Sequence, residues 1–234
     1  MLITLRSTLF YLGYLATLVV HSTFCVLVGW ALPINVRFRY VTLWNQFAIW
    51  WLKITCGVHF RVSGQEHVPS GAFVLLSNHQ SPWETIFLYR HFQPLTAILK
   101  RELLWLPFFG WALRLLYPIA IDRSKGLSAR QNILTEGPKR LKMGLSVLVF
   151  PEGTRTEVGQ ERKYLTGGAD LAIKAGALIL PVAHNAGRFW PARKFCKQPG
   201  IIDVVIGKAI DANGREAREL TAEVQTWISQ ALPQ

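Results

Sequence analysis

The longest uncharged run in this chain lies at its start and constrains where everything after it can sit. Between Arg6 and Arg37 there are 30 residues without a Lys, Arg, Asp or Glu. Leu9, Phe10, Leu12, Leu15, Leu18, Val19, Val20, Phe24, Val26, Leu27, Val28 and Trp30 make most of the run apolar. A helix rises about 1.5 Å per residue, so ~20 residues cross the hydrocarbon core of a bilayer. Residues 9–32 are therefore expected to form a retained anchor. The apolar part of a cleaved signal is shorter, roughly 7–15 residues, although Gly29-Trp30-Ala31 offers a small-x-small site. A second run, Tyr40 to Leu52, holds 13 uncharged residues and is short for a span. On a helix it places Thr42, Asn45, Gln46 and Lys53 on one side and Val41, Leu43, Trp44, Phe47, Trp51 and Leu52 on the rest. An interfacial or re-entrant helix over 40–53 fits, with a buried core helix as the alternative. Residues 1–60 thus read as a membrane anchor and 61–234 as a separate unit.

No acidic residue precedes Glu66, whereas Arg6, Arg37, Arg39, Lys53 and Arg61 are basic. Most of that charge follows the apolar run, which places the body of the protein on the cytoplasmic side of the inner membrane. Over the whole chain 26 Lys and Arg face 14 Asp and Glu, a net charge of +12. Such an excess attracts anionic membrane, phosphorylated substrates or nucleic acid. Half the residues are hydrophobic and 17% are charged. That excludes a disordered chain and falls below the roughly 25% charge of ordinary soluble domains. Cys25, Cys56 and Cys196 lie far apart and suggest neither a disulfide framework nor a zinc site.

From Gly64 onward, strand-like runs alternate with helix-like ones. Strands are expected at Ala72–Ser77, Thr96–Leu99, Pro118–Ile121, Ser146–Phe150, Ala177–Val182 and Val204–Ile206, and helices at Pro82–Phe92, Ser128–Met143 (broken at Gly137-Pro138), Gly168–Lys174 and Arg215–Leu232. The alternation implies an α/β fold, with a mixed, mostly parallel sheet covered by helices.

Two segments carry residue types suited to chemistry. Asn78-His79-Gln80-Ser81-Pro82-Trp83-Glu84 leaves a strand and enters a helix, with Ser81 suited to the N-cap and Pro82 to the first helical position. His79 then stands at the carboxyl edge of a sheet, where ligands bind in open α/β folds. Glu84 has two readings at this spacing. It can fold back onto one ring nitrogen and leave the other as a general base, or it can complete a capping box with Ser81. Phe150-Pro151-Glu152-Gly153-Thr154-Arg155 also follows a strand, and Arg155 brings a planar guanidinium suited to phosphate, which Glu152 can orient. A solvated surface turn is the plainer reading. Lys100 and Arg123 end two further strands, so three strand ends carrying cations would make an electropositive mouth. Backbone amides near Pro82–Trp83 are candidates for an oxyanion site. No dinucleotide, P-loop, nucleophile-elbow or zinc motif is present.

These segments, together with Lys100-Arg101-Glu102-Leu103 through Pro107 and Gly110 to Ile121-Asp122-Arg123, and Leu180-Pro181-Val182-Ala183, resemble in order the four blocks of the glycerolipid acyltransferase family. The resemblance spans roughly residues 72 to 187. It implies transfer of an acyl chain from acyl-CoA or acyl-carrier protein to the 2-hydroxyl of lysophosphatidate, giving phosphatidate in phospholipid biosynthesis. It implies His79 and Glu84 as the catalytic pair, Glu84 standing where the family usually has Asp. The acceptor phosphate would be held by Lys100, Arg123, Glu152, Gly153, Thr154 and Arg155. Pro181 and Val182 would belong to the acyl-donor region. No metal or redox cofactor is implied, and the partners are the bilayer, its lipid acceptor and the acyl donor, not nucleic acid. Rival readings are another acceptor (glycerol 3-phosphate or a lyso-aminolipid) or a membrane lipid-binding protein without catalysis.

Overall fold

The computed structural model describes residues 1–233. The chain opens with α1 (Leu2–Val28), α2 (Ile34–Val41) and α3 (Leu43–Cys56), and continues as β1 (Val58–Ser63), β2 (Val74–Ser77), α4 (Pro82–His91), β3 (Leu95–Lys100), α5 (Phe109–Arg114), β4 (Ile119–Ile121), α6 (Gly126–Lys142), β5 (Ser146–Val149), α7 (Gly167–Ala175), β6 (Ile179–His184), α8 (Ala186–Phe189), β7 (Gly200–Ile206) and α9 (Ala217–Ala231). The seven strands form one sheet in the order β1-β7-β6-β2-β5-β3-β4. Every neighbouring pair is parallel except β6 with β7. The expected mixed, mostly parallel α/β sheet is what the chain forms. β2, β3, β4, β5 and β6 therefore all deliver their carboxyl ends to one edge.

The central strands β2, β5 and β6 are buried at every position, as strands covered on both faces must be. Leu75, Leu148, Leu180 and Val182 face one core, shared with α1, α3 and α4. Val74, Leu76, Val147, Val149 and Ile179 face the other, shared with α6, α7 and α9. The N-terminal helices are thus one layer of the fold rather than an appendage beside it.

Several expectations shift. The first helix starts at Leu2, not residue 9, and is the one helix of the described residues long and apolar enough to cross a membrane, with most of its surface left bare. The expected helix over 40–53 is two helices meeting at Thr42, whose hydroxyl donates to Phe38 O at 2.8 Å. Its polar side divides: Thr42 is buried and Asn45 Nδ2 donates to Ile86 O at 2.9 Å, whereas Gln46, which accepts from Arg90 at 2.7 Å, and Lys53 are exposed. Trp44, Ala48 and Leu52 pack into the core, while Leu43, Trp50 and Ile54 are left exposed beside Gln46 and Lys53, more apolar surface than a water-facing helix leaves bare. β1 was not expected as a strand. It lies at the sheet edge with alternating His59, Arg61 and Ser63, and Arg61 Nε reaches Asp203 Oδ1 at 2.8 Å.

The break expected at Gly137-Pro138 does not occur, and α6 runs through it. Gly137 is needed there for another reason. A Cβ at this position would overlap Leu171 Cδ1, and Leu171 is fully buried in α7. Gly→Ala within an exposed helix gains about 1 kcal/mol, whereas overpacking a filled core costs about 1–3 kcal/mol. Gly137→Ala is therefore expected to lower stability by up to about 2 kcal/mol in denaturant titration. A stabilised variant would show that α6 and α7 are not tightly packed at this point.

Candidate active site

β2 and β5 are adjacent and in parallel register, Val74 beside Val147 and Leu76 beside Val149. The loops leaving them, Asn78–Ser81 and Phe150–Thr156, therefore meet. Ser81 caps α4: its Oγ accepts from Trp83 N at 3.0 Å, and its own N–H donates to Glu84 Oε1 at 3.0 Å. The same Glu84 oxygen lies 2.7 Å from His79 Nδ1. The two readings of Glu84 are thus one arrangement, since a carboxylate oxygen accepts from both an amide and an imidazole. The bond to Trp83 occupies the amide that was expected to face an oxyanion, and Pro82 has no N–H.

Glu84 has no solvent exposure. Burial by itself would raise its carboxyl, but the His79 hydrogen bond, the electrostatic influence of the two neighbouring imidazoles and the Ser81 amide outweigh it and hold Glu84 below the usual carboxylate value. An ionised carboxylate only accepts, so the His79 proton sits on Nδ1 and leaves Nε2 with its lone pair. Three features of the second loop fix that ring. Phe150 stacks on it at 3.8 Å and 11°. His79 N donates to Glu152 Oε1 at 3.2 Å, and Thr156 N donates to His79 O at 2.8 Å. Glu152 Oε2 accepts from Thr156 Oγ1 at 2.7 Å. Burial raises the Glu152 carboxyl. Glu152 thus braces the His79 loop, and it forms no ion pair with Arg155 among the described residues.

A third strand, expected over Ala177–Val182, completes the site with a histidine whose place there sequence reading missed. β6 is the other neighbour of β2 and ends in His184. Asn78 and His184 exchange two bonds, Nδ2 to His184 O at 2.9 Å and His184 N to Oδ1 at 3.0 Å. His184 Nε2 donates to Asn78 O at 2.9 Å, and Nδ1 accepts from Ala186 N at 3.2 Å. Its Nε2 also stands 3.9 Å from Glu84 Oε2, an oxygen that takes no hydrogen bond. Burial holds His184 neutral by lowering its pKa. Residues 78 and 184 are 106 apart, and only the strand order brings them together.

Beside His79 opens a cavity of about 240 Å³ between the sheet edge and the N-terminal helices. Its walls are mostly apolar, among them Leu18, Val41, Ile86, Leu113 and Leu116, and Arg123, Arg155, His79 and His21 also line it. Arg123 and Arg155 have no carboxylate partner among the described residues. Loss of solvent and then the charge of Arg155 lower the Arg123 pKa. Two such guanidiniums facing one space form a place for an anion. Lys100 is not with them: its Nζ lies 3.4 Å from Glu102 Oε1 on the surface. Gly153, at φ +73°, makes the turn that carries Arg155 out of the sheet edge, and Thr154 stands half-buried in that turn. Pro181 and Val182 are buried within β6 and do not line the cavity.

An acyltransferase family model matches residues 59–185. A 1-acyl-sn-glycerol-3-phosphate acyltransferase of Pseudomonas aeruginosa is 46% identical over 97% of this chain and 90% of its own length. One from Salmonella typhimurium is 34% identical over 69% of this chain and 67% of its own. The crystal structure of the 1-acyl-sn-glycerophosphate acyltransferase from Thermotoga maritima has the same fold, with a TM-score of 0.81, 23% identity, and coverage of 97% of this chain and 92% of that one.

His184→Leu should strand the partners of both ring nitrogens, at about 1–3 kcal/mol for each unpaired buried group. The pH dependence has a definite sign. A histidine held below its ordinary 6.5 contributes stability that is present above 6.5 and lost as pH falls below it. Denaturation midpoints of the wild type should therefore drop below that pH, and His184→Leu should flatten part of the drop. His91, lowered likewise by burial, retains the rest. An unchanged slope in the variant would mean that burial does not lower the His184 pKa in the folded protein.

Proposed function

This chain belongs to the acyltransferase family, and from that premise we propose that it moves an acyl chain from acyl-CoA or acyl-carrier protein to the sn-2 hydroxyl of 1-acyl-sn-glycerol 3-phosphate, giving phosphatidate. The observation that carries the reading is a histidine with a free Nε2, oriented by a buried carboxylate, lining a mostly apolar cavity that two unpaired arginines also line. The cavity suits an acyl chain and the arginines suit a phosphate monoester, the two ends of a lysophosphatidate molecule.

On this reading His79 Nε2 takes the proton of the glycerol hydroxyl as the oxygen attacks the thioester carbonyl. The tetrahedral intermediate collapses, the carbon–sulfur bond breaks, and the imidazolium returns its proton to the leaving thiolate. Glu84 keeps the ring in the productive tautomer and stabilises its charged form. General-base help of this kind is worth about 10²–10⁴ in rate. Arg155 and Arg123 clamp the phosphate and so orient the hydroxyl, with Gly153 and Thr154 shaping the turn that presents Arg155. Lys100 joins this clamp only if its pair with Glu102 opens. Pro181 and Val182 act on the donor side through the strand they build rather than by contact.

Residues 1–60 serve as the membrane anchor and 61–234 as the acyltransferase unit, with β1 crossing that line. α1 is tied to the α/β layers along its length. Ser7 Oγ accepts from Lys197 N at 3.0 Å, Phe10 meets Trp190 at 5.0 Å, Thr17 Oγ1 accepts from Trp44 Nε1 at 3.1 Å, and a Cβ on Gly29 would lie 2.7 Å from Leu115. A helix held this way along about 40 Å lies with its bare side in one leaflet. The basic residues after it support an anionic, cytoplasmic leaflet of the inner membrane as its partner.

With labelled acyl-CoA and each acceptor supplied alone, wild-type protein should acylate lysophosphatidate in preference to glycerol 3-phosphate. His79→Ala should reduce kcat by about 10²–10⁴, and Glu84→Gln by less, because the cap acceptor remains. Arg155→Ala should raise KM for the acceptor roughly 10- to 100-fold, as for a charged hydrogen bond of about 1.5–3 kcal/mol, and leave KM for the donor in place. Wild-type turnover in His79→Ala would remove the general base. For topology, single cysteines replacing Leu2 and Leu32 should both react with an impermeant maleimide from the cytoplasmic side alone. Labelling of one of them from the opposite face would establish a span.

A further inference from the structure

The segment joining β3 to β4 carries more exposed apolar surface than any catalytic role requires. Leu103, Trp105, Leu106, Phe108 and Trp111 are all exposed, Trp105 by 66%. Exposed apolar residues are ordinary when single and informative when contiguous. Lys100, Arg101 and Arg114 frame the five, and the one acidic residue among them, Glu102, is paired to Lys100.

The backbone holds these side chains out instead of folding them in. A 3₁₀ turn over Arg101–Trp105 leads to Pro107, whose carbonyl accepts from Phe109 N at 2.7 Å. The resulting three-residue turn centres on Phe108 at φ +60° and ψ −71°, the rare positive-φ γ-turn that a non-glycine residue adopts only when its surroundings impose it. Gly110 permits this. Its Cα lies against the carbonyls of Leu103 and Leu104, where a Cβ has no room. Arg114 Nε donates to Leu104 O at 3.2 Å and closes the two arms. The result is one wall with two faces. Leu103, Phe109, Ala112 and Leu113 line the cavity beside His79, while Trp105, Leu106, Phe108 and Trp111 lie outside its lining.

This outer face continues the bare side of the N-terminal helices. α5 packs on α1. Arg37 binds Trp30 O at 2.9 Å, Leu32 O at 2.8 Å and Tyr117 Oη at 2.7 Å, which joins the α1–α2 corner to the chain after α5. Trp30 in that corner is 69% exposed.

We propose that residues 101–114 are a second bilayer-inserted element and form the portal through which the lipid acceptor enters, its acyl chain passing from the membrane into the cavity without crossing water. The occupant of the outer face is the lipid bilayer: tryptophans suit headgroup depth, and the framing cations suit anionic lipid. The proposal rests on the acyl-transfer reading above for its substrate, and on the exposed face alone for its insertion.

The test is the double variant Trp105→Glu/Leu106→Glu, neither residue lining the cavity. Two carboxylates are strongly disfavoured in the acyl layer, so turnover of lysophosphatidate in phosphatidylethanolamine–phosphatidylglycerol vesicles should fall about tenfold or more. Turnover of a short-chain, monomeric acceptor should stay within about twofold, because no membrane entry is involved. A readout independent of activity uses a nitroxide at Trp105→Cys in a Cys196→Ser background. On the same vesicles it should be accessible to oxygen and shielded from an aqueous nickel chelate. Wild-type vesicle turnover in the double variant, or a label open to the nickel chelate, overturns the proposal. If the double variant loses both activities through local collapse, the depth of the label decides. If the wild type acylates no acceptor at all, the acyl-transfer reading fails, and label depth still decides insertion.

Discussion

Glu84 is a carboxylate with no access to water, and a buried anion persists only where donors surround it. Its Oε1 receives the Ser81 amide and His79 Nδ1, and its Oε2 faces His184. That one requirement ties together three strands of the sheet. Ser81 must cap α4, His79 must turn its ring back over the helix start, and β6 must end where His184 can reach Asn78. A shift of β2 against β5 or β6 would expose the carboxylate or leave it unpaired, and either outcome would release the ring of His79. The stability of the cap and the orientation of the base therefore rest on the same oxygen atom.

The second organising constraint is the shared boundary between protein and membrane. The helices of a soluble α/β protein cover both faces of its sheet with amphipathic stripes. Here one face is covered by α1, α3, α4 and α5, and the outer surfaces of α1 and α3 are themselves apolar. The cavity lies in that layer, under the helices and against the sheet edge. Its position follows from the layering: the space between an outwardly apolar helix layer and the carboxyl ends of a mostly parallel sheet joins an apolar side to a side rich in basic loops. A lipid with a phosphate headgroup has the same two-sided character, and this is why the fold and the proposed substrate agree.

Much of the fold was legible along the chain. The six strands expected from β-rich runs are present, with ends displaced by a few residues, and Pro82 and Ser81 marked the start of α4 for the physical reason that operates there. β1 was not legible, because an edge strand with alternating polar residues beside an apolar helix gives a weak signal. α6 passes through Gly137-Pro138 because the glycine serves contact with Leu171, a partner no local pattern reveals. In the site, His79, Glu84, Arg123 and Arg155 were named from motif spacing and do meet at one place. Lys100 was placed with them by the same logic, yet it finds a nearer acid in Glu102. Glu152 was assigned to Arg155 by sequence proximity and instead receives the His79 amide.

By itself the sequence determined what is local and periodic: a long uncharged apolar run that forms most of the first helix, strands alternating with helices, and a helix cap that forces a histidine and a glutamate into one turn. These follow from hydropathy, spacing and capping within a few residues. The tertiary structure alone decided which strand ends became neighbours, and with them the place of His184, the pairing of Lys100 with Glu102, the use of Glu152 as a brace for His79, and the cavity itself. Strand order is set by the packing of whole layers, and interactions between residues a hundred positions apart leave no mark on the pattern of either segment.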